Sequence, residues 1–283
     1  MITVFALAAA VLYGGADFLG GAASRRAHTL AVLTVSAPAG AVVMLAAALV
    51  AGGPARVSGL GWALAGGTAG GAGLIAFYEG LATGPMTVVA PVSALVSTLL
   101  PVGFALATGE RPGLGVAIGA VVCLGAIVLI SLEGSGPARR PGRPAAGRAL
   151  LYGVGSGIAF GLFFLFLRNA GSTGVFWPVT ASRLAGTAVM LSAAAWLGVR
   201  PGWRGLGRRV LVAAIASGVI DAVANVCYVL ATRAGMFGMA VVLTSLYPGI
   251  TVLLARLVLG ERMRPAQRLG LALAAVGVVL VTA

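Results

Sequence analysis

Four ionisable side chains interrupt stretches of the sequence that are otherwise apolar. They are Asp17, Glu79, Arg183 and Asp221, and Asn225 follows Asp221 by one helical turn on the same face. In a membrane helix, a charged side chain near the centre costs about 2.5–3.5 kcal/mol on insertion scales. Charged residues retained at that cost are candidates for ligand binding or for ion coupling.

The chemistry open to these groups is binding and charge compensation. Arg183 can hold a substrate carboxylate or phosphate, and Asp221 or Asp17 can bind a cation or take up a proton. A rise of about 1.5 Å per residue places Arg183 and Asp221 at similar depths in their helices, near enough to pair. The alternative is a neutral structural bridge between these two, with Asp17 and Glu79 reaching water at the membrane surface.

Aromatic residues near these charges predict the wall of a cavity. Tyr13 and Tyr228, together with Phe77, Tyr78 and Phe160, suit such a wall, and positions facing lipid are the alternative. Two isolated cysteines and one histidine form no ligand pattern, so neither a metal site nor a disulfide framework is indicated. We predict no cofactor and no catalytic residue.

The composition places these residues in a membrane protein. Of the 283 residues, 60% are hydrophobic and 9% are charged, against roughly 25% charged in soluble domains. Breaks at Arg, Pro and Gly leave apolar runs of about 20 residues, the length of a membrane span. We predict an all-α integral membrane protein with about ten transmembrane helices, the first of them a retained helix and not a signal peptide. The runs are 2–23, 30–51, 60–82, 85–107, 113–132, 148–168, 176–198, 208–231, 236–257 and 265–282.

A polar segment divides these runs into two sets of five. Residues 133–147 are rich in Arg, Pro and Gly and are predicted to be a cytoplasmic linker between a first repeat, 1–132, and a second, 148–283. Leu-Ala-Thr after runs three and eight, and Gly-Glu-Arg after runs four and nine, recur at offsets of 149 and 151 residues. Because five is an odd number of spans, the second copy must enter the membrane from the opposite side. The sequence therefore predicts two inverted five-helix repeats.

The basic residues, all nineteen of them arginine, predict the orientation. Fourteen lie in odd-numbered connections and four in even-numbered ones, so the positive-inside rule places the odd connections in the cytoplasm and both termini outside. Since the arginines lie at the ends of the runs and on no single face, the net charge of +13 does not indicate nucleic acid binding. The abundance of Ala, Gly and Val without lysine suggests a GC-rich genome, and hence a bacterial inner membrane.

Residues 231–282 carry a recognisable series of residues, and the first half carries a weaker copy. The series is Pro248, Gly260, Glu261, Arg262, Gln267, Gly270 and Gly277, and the copy is Pro101, Gly109, Glu110 and Arg111. In order and spacing the series resembles the end of EamA-type transporters of the drug/metabolite transporter superfamily. Leu12-Tyr13-Gly14-Gly15 is similar to their first-helix Leu-Trp-Gly-Ser. The resemblance implies a basket of ten helices around a central substrate cavity.

The chain departs from the family pattern in its second span. The family often has an arginine early in spans two and seven, whereas here only span seven has one, Arg183, and span two has Thr34, Ser36 and Pro38. The first half of the site is therefore expected to be less polar than usual. Glu110, which precedes an arginine in a short connection, is interpreted as a helix-end feature.

These observations favour a secondary transporter over other classes of membrane protein. No ATP-binding motif is present, so we expect a gradient or exchange, through proton or ion coupling, to drive alternating access around a central cavity. The expected substrate is a small metabolite or drug, moved outward across the lipid bilayer. The alternatives are a non-transporting membrane scaffold and a lipid-acting membrane enzyme, and the latter would need a clustered catalytic set that the sequence does not contain.

Overall fold

The architecture is a bundle of α-helices. The computed structural model describes residues 1–52, 57–83, 86–131, 143–171, 174–199, 205–260 and 263–282, and within these ranges the regular secondary structure is entirely α-helical. The helices are α1 (Ile2–Ser24), α2 (Thr29–Ala51), α3 (Val57–Thr83), α4 (Met86–Ala107), α5 (Leu114–Ser131), α6 (Arg143–Gly171), α7 (Phe176–Trp196), α8 (Arg208–Arg233), α9 (Phe237–Thr244), α10 (Tyr247–Leu259) and α11 (Pro265–Thr282).

The described helices are those of a multi-pass membrane protein. Seven segments are long and apolar enough to cross a bilayer, and 92–107 and 114–130 are shorter apolar helices. Backbone groups inside a bilayer must bond within their own segment, which is why apolar runs of this length form helices. The predicted count of about ten spans stays a prediction. The seven segments are 2–24, 29–51, 59–77, 147–171, 208–233, 237–259 and 265–282.

Helix α6 begins within the segment predicted to be a linker. Residues 143–147, assigned to the linker 133–147, form the first turn and more of α6, which begins at Arg143. Pro144 is compatible with this start, because a proline in the first turn lacks only an N–H that would have no helical partner. The rest of the predicted linker, up to residue 142, lies outside the described residues.

The ninth apolar run, 236–257, forms two helices and not one. Helix α9 ends at Thr244, and α10 begins at Tyr247 after a turn at Ser245 and Leu246. Pro248 explains the break, because it has no N–H for the carbonyl of Thr244 and its ring would clash with that carbonyl in a straight helix. The N–H of Leu246 donates instead to the carbonyl of Leu243, at 3.3 Å, which tightens the turn.

The helix contacts fall into matched pairs. Helix α1 packs along α8, and α3 packs along α6. Helix α2 packs on α8 and α3 on α7, while α4 packs on α6, and α9 and α10 pack on α1. Helices α2 and α7 pack on each other, as do α5 and α11. Each of these named contacts has a counterpart, or is its own, when α1–α5 are exchanged in order for α6, α7, α8, the α9–α10 pair and α11.

Two glycines allow the closest of these crossings. A Cβ atom on Gly67 of α3 would overlap the carbonyl oxygen of Ser182 on α7, and a Cβ atom on Gly218 of α8 would overlap the carbonyl oxygen of Ser36 on α2. Small residues let membrane helices bring their backbones together in this way. The two contacts are reciprocal, because each joins a glycine of one half to a serine of the other.

Replacing either crossing glycine is expected to destabilise the bundle. Gly67→Ala and Gly218→Ala should each lower the free energy of unfolding by about 1–3 kcal/mol, since the added methyl group meets a backbone oxygen that cannot move aside. Thermal unfolding of the purified protein in detergent measures the change. Gly61→Ala on the same helix α3 is the control, because a Cβ atom there meets nothing within 4 Å. Equal melting temperatures for Gly67→Ala and Gly61→Ala would contradict the expectation.

Candidate functional site

A cavity of about 210 Å³ lies between eight of the helices. Side chains from α1, α2, α3, α4, α6, α7, α8 and α10 line it. Most of these lining positions fall in the middle third of their helices, so the cavity is central in the bundle. The polar residues in its wall are Tyr13, Asp17, Ser97, Ser182, Arg183, Thr187, Asp221, Asn225 and Tyr247.

An ion pair between Arg183 of α7 and Asp221 of α8 forms part of the wall. One guanidinium nitrogen of Arg183 meets a carboxylate oxygen of Asp221, and the other, Nη2, donates to the Asp221 carbonyl at 3.1 Å. The Asn225 amide nitrogen donates to the same carbonyl at 2.7 Å. The side chains of Arg183 and Asp221 keep 17% and 32% of their surface accessible, so the pair is reached from the cavity.

Asp17 adds a second carboxylate to the cavity without a matching cation. It projects from α1 into the cavity wall and is exposed there. Within the described part of the chain it makes no ion pair or hydrogen bond. The charged groups in the cavity wall are therefore Asp17, Arg183 and Asp221, with a formal net charge of −1.

Three buried polar atoms in the cavity wall have no hydrogen-bond partner among the described residues. They are the Tyr13 hydroxyl, the Thr187 hydroxyl and the Asn225 amide oxygen. Burying a polar group without a partner costs about 1–3 kcal/mol. All three belong to residues that line the cavity, which makes its wall a candidate binding surface.

Aromatic side chains form the rest of the wall. Phe160, Phe163 and Phe164 of α6 line the cavity, and Tyr13 packs edge-on against Phe164 with ring centroids 6.3 Å apart. Behind this layer, the hydroxyl of Tyr228 donates to the Phe164 carbonyl at 3.0 Å. Tyr228 thus holds the α6 backbone in place from outside the cavity.

The structure brings together five of the seven residues singled out in the sequence. Tyr13, Asp17, Arg183, Asp221 and Asn225 line one cavity. The other two lie elsewhere in the described structure. Glu79 is exposed near the end of α3 and is not among the lining residues, and Tyr228 is fully buried behind Phe164.

Several lining residues were missed in the sequence. Ser182 and Thr187 stand one before and one turn after Arg183, and Tyr247 stands next to Pro248. Helical spacing from Arg183 would have found Thr187, just as it found Asn225 from Asp221, but it would not have found Ser182, which is adjacent in sequence. The side chain of Tyr78, a predicted wall residue, lies outside the described residues.

A bundle of long apolar helices around a central cavity, with charged residues in its wall, defines a helical membrane protein. The chain belongs to the EamA-like transporter family, whose sequence model matches residues 1–132 and 147–283. The resemblance seen in residues 231–282 is thereby confirmed, and the family indicates a transporter of the drug/metabolite type.

Solved structures support the fold. A crystal structure of another protein superposes with a TM-score of 0.81 at 18% sequence identity, over 99% of this chain and 96% of that one. It is among 29 solved chains that match. At this identity the likeness concerns the fold alone. The comparison with curated proteins finds no match.

The ion pair predicts a non-additive mutant cycle. Arg183→Ala leaves the Asp221 carboxylate unpaired, and Asp221→Ala leaves the guanidinium with only the Asp221 carbonyl. Each should therefore lower the free energy of unfolding by about 1–3 kcal/mol. The double variant should lose clearly less than the sum. Unfolding in detergent measures the cycle, with Arg209→Ala on the exposed start of α8 as control. Strictly additive losses would show that the pair is not coupled.

Proposed function

We propose that the protein is a secondary transporter that exports a small metabolite or drug by alternating access. The observation that carries the proposal is the central cavity, which is walled by helices from both halves of the chain and holds Asp17, Arg183 and Asp221. Charged groups deep in a bundle of apolar helices are retained where they meet a ligand or a coupling ion.

In the proposed mechanism, the two predicted repeats are the units that move relative to each other. The proposed units are 1–132 and 148–283, and the helix contacts that exchange between them support an inverted arrangement. The two segments matched by the family also flank the predicted linker. In inverted-repeat transporters the substrate site lies at the repeat interface, and one half rocks against the other around it. The lining of the cavity by helices from both proposed halves supports this arrangement.

The arginine distribution supports the proposed orientation in the membrane. Odd-numbered connections would face the cytoplasm, both termini would face outward, and export would run from the linker side to the opposite side. The proposed location is the bacterial inner membrane. Proton or ion coupling would use the carboxylates of the cavity wall, Asp17 and Asp221.

The cavity also separates this proposal from the scaffold alternative. A scaffold gains nothing from unpartnered polar atoms, and those of Tyr13, Thr187 and Asn225 would only lower its stability. A transporter has a use for them, because they can bond the ligand. No such observation favours a lipid-acting enzyme.

Transport in proteoliposomes tests the proposal. Purified protein is reconstituted and assayed with a panel of labelled metabolites and drugs, in vesicles of known protein orientation, so that the direction is measured as well. We expect uptake of at least one class of compound. Arg183→Ala combined with Asp221→Asn should then lower its initial rate at least tenfold, because both charges leave the cavity wall.

A control variant separates loss of the site from loss of the fold. Thr68 is exposed on α3 and bonds only to the carbonyl of Leu64 in its own helix, at 2.9 Å, so Thr68→Ala should transport normally. Unchanged transport in the double variant would overturn the assignment of the site. Absence of transport for the whole panel would count against the proposed function.

A further inference from the structure

The cavity wall combines charged and polar side chains with apolar and aromatic ones. The charged members and the amide lie on α1, α7 and α8; they are Asp17, Arg183, Asp221 and Asn225. The apolar members on α2, α3 and α6 include Ala37, Leu74, Phe160, Phe163 and Phe164.

The helix packing brings the two sets of side chains together in one cavity. Helix α1 packs along α8 and α3 packs along α6, while α2 and α3 both pack on α7. The Tyr13 ring, one turn from Asp17 on α1, lies against Phe164 of α6 with ring centroids 6.3 Å apart. A ligand held at Asp17 is therefore in the same cavity as the phenylalanine rings of α6.

The charged side chains indicate the sign of the ligand. Arg183 already binds the carboxylate and the carbonyl of Asp221, so its charge is compensated. Asp17 is left without a cation in the described structure, and Coulomb attraction then favours a positive ligand group beside it. The rings of Phe160 and Phe163 in the same wall favour an aromatic body.

We infer that the site takes a small organic monocation with one aromatic ring, its charged group at Asp17 and its ring on the phenylalanines of α6. This inference rests on the proposed transport function. The volume of about 210 Å³ lies below the roughly 300–1,000 Å³ of pockets for drug-sized ligands, so the ligand is a small one. The unpartnered Tyr13 hydroxyl lies on the same helix as Asp17, where it can bond the polar end.

Equilibrium binding to the purified full-length protein tests the inference without any transport step. The probes are benzyltrimethylammonium, tetramethylammonium and phenylacetate, which separate the charge from the ring. By isothermal titration calorimetry, benzyltrimethylammonium should bind at least tenfold more tightly than either of the others. Asp17→Asn should weaken its binding at least tenfold. Phe160→Ala should weaken benzyltrimethylammonium and leave tetramethylammonium unchanged.

The outcomes distinguish this inference from the proposed function. Thr68→Ala serves again as the control and should bind all probes like the wild type. Tighter binding of phenylacetate than of benzyltrimethylammonium by the wild type would overturn the inference, even if Asp17→Asn fails to fold. Transport of an anion or a neutral compound that depends on Arg183, without cation binding, would leave the transporter proposal standing and remove this one. Cation binding without transport would leave this inference standing and would count against the transporter proposal.

A second, independent observation concerns Glu110, in the connection between α4 and α5. Its two carboxylate oxygens accept hydrogen bonds from the backbone N–H groups of Phe237, at 2.7 Å, and Gly238, at 2.9 Å. These are N–H groups of the first turn of α9, which have no partner within the helix, and a carboxylate there also interacts favourably with the helix dipole. Arg168 near the end of α6 stacks over the Phe237 ring, 4.4 Å from its centroid.

The geometry points to Glu110 as a latch between the two proposed halves. It belongs to the first half and α9 to the second, and their contact closes the end of the bundle at which α6 ends and α9 begins. Opening the cavity at that end requires the carboxylate to leave the α9 N–H groups. The sequence interpretation of Glu110 as a helix-end feature holds, but the helix that it caps belongs to the other half.

Thiol labelling of the cavity tests the latch. Thr187→Cys, in a chain whose native Cys123 and Cys227 are replaced by alanine, is reacted with a membrane-impermeant methanethiosulfonate from each side of the membrane. Glu110→Ala should raise the labelling rate from the Glu110 side at least threefold. Glu110→Gln should raise this rate by a smaller factor. Thr108→Ala is the control, because its hydroxyl bonds only to carbonyls of its own helix. A lower melting temperature with unchanged labelling would show a helix cap and no latch.

Discussion

The closest glycine crossings among the described residues, between Gly67 and Ser182 and between Gly218 and Ser36, fix the geometry on which the site depends. At each crossing a backbone oxygen occupies the place of the missing side chain. Arg183 directly follows one of these serines, and Asp221 lies one helical turn beyond Gly218. The registers of α7 and α8 are thus set within a turn of the ion pair. If either crossing slid by a turn, about 5.4 Å, the pair could not form.

The site that results has more polar groups than it can satisfy. The carbonyl of Asp221 accepts from both Arg183 and Asn225, so the Asn225 amide nitrogen is used and its oxygen is left without a partner. Asp17 contributes a charge that the described residues do not compensate. In an apolar bundle this is an unfavourable arrangement in the absence of ligand. Stability gained by tight packing elsewhere, including the buried core around Tyr228, allows the cavity to retain it.

Much of the fold could be predicted from the sequence, because a bilayer allows few alternatives to apolar helices. The charged residues of the cavity could be found for the same reason, since an ionisable group in a long apolar run is conspicuous. Tyr228 and Glu79 show the limit of this reasoning. An aromatic ring suits a cavity wall or a second layer equally well, and a carboxylate near a helix end is accounted for by contact with water. To choose between these alternatives one must know how each helix is rotated about its axis. That rotation is determined by helix packing and not by local sequence.

Longer-range features could not be read from local pattern at all. Pro248 lies inside the ninth apolar run, but whether the chain bends there or divides into α9 and α10 depends on the residues that pack against the ends of the two helices. Glu110 illustrates the same point, because its partners lie 127 and 128 residues away along the chain. Their approach follows from the packing of α4 on α9. A repeat marker in the sequence identifies such a residue, and only the folded bundle identifies the group that it binds.

Helix contacts exchange between the two proposed halves, whereas the side chains that those helices bring to the cavity differ. The charged residues of the wall, Asp17, Arg183 and Asp221, lie on α1, α7 and α8, and its phenylalanines lie on α6. Unlike sets of side chains hold a ligand with unlike ends in one preferred orientation. Two identical half-sites would accept such a ligand in either orientation. The backbone crossings are thus similar in the two proposed halves, while recognition of a ligand depends on side chains that are not.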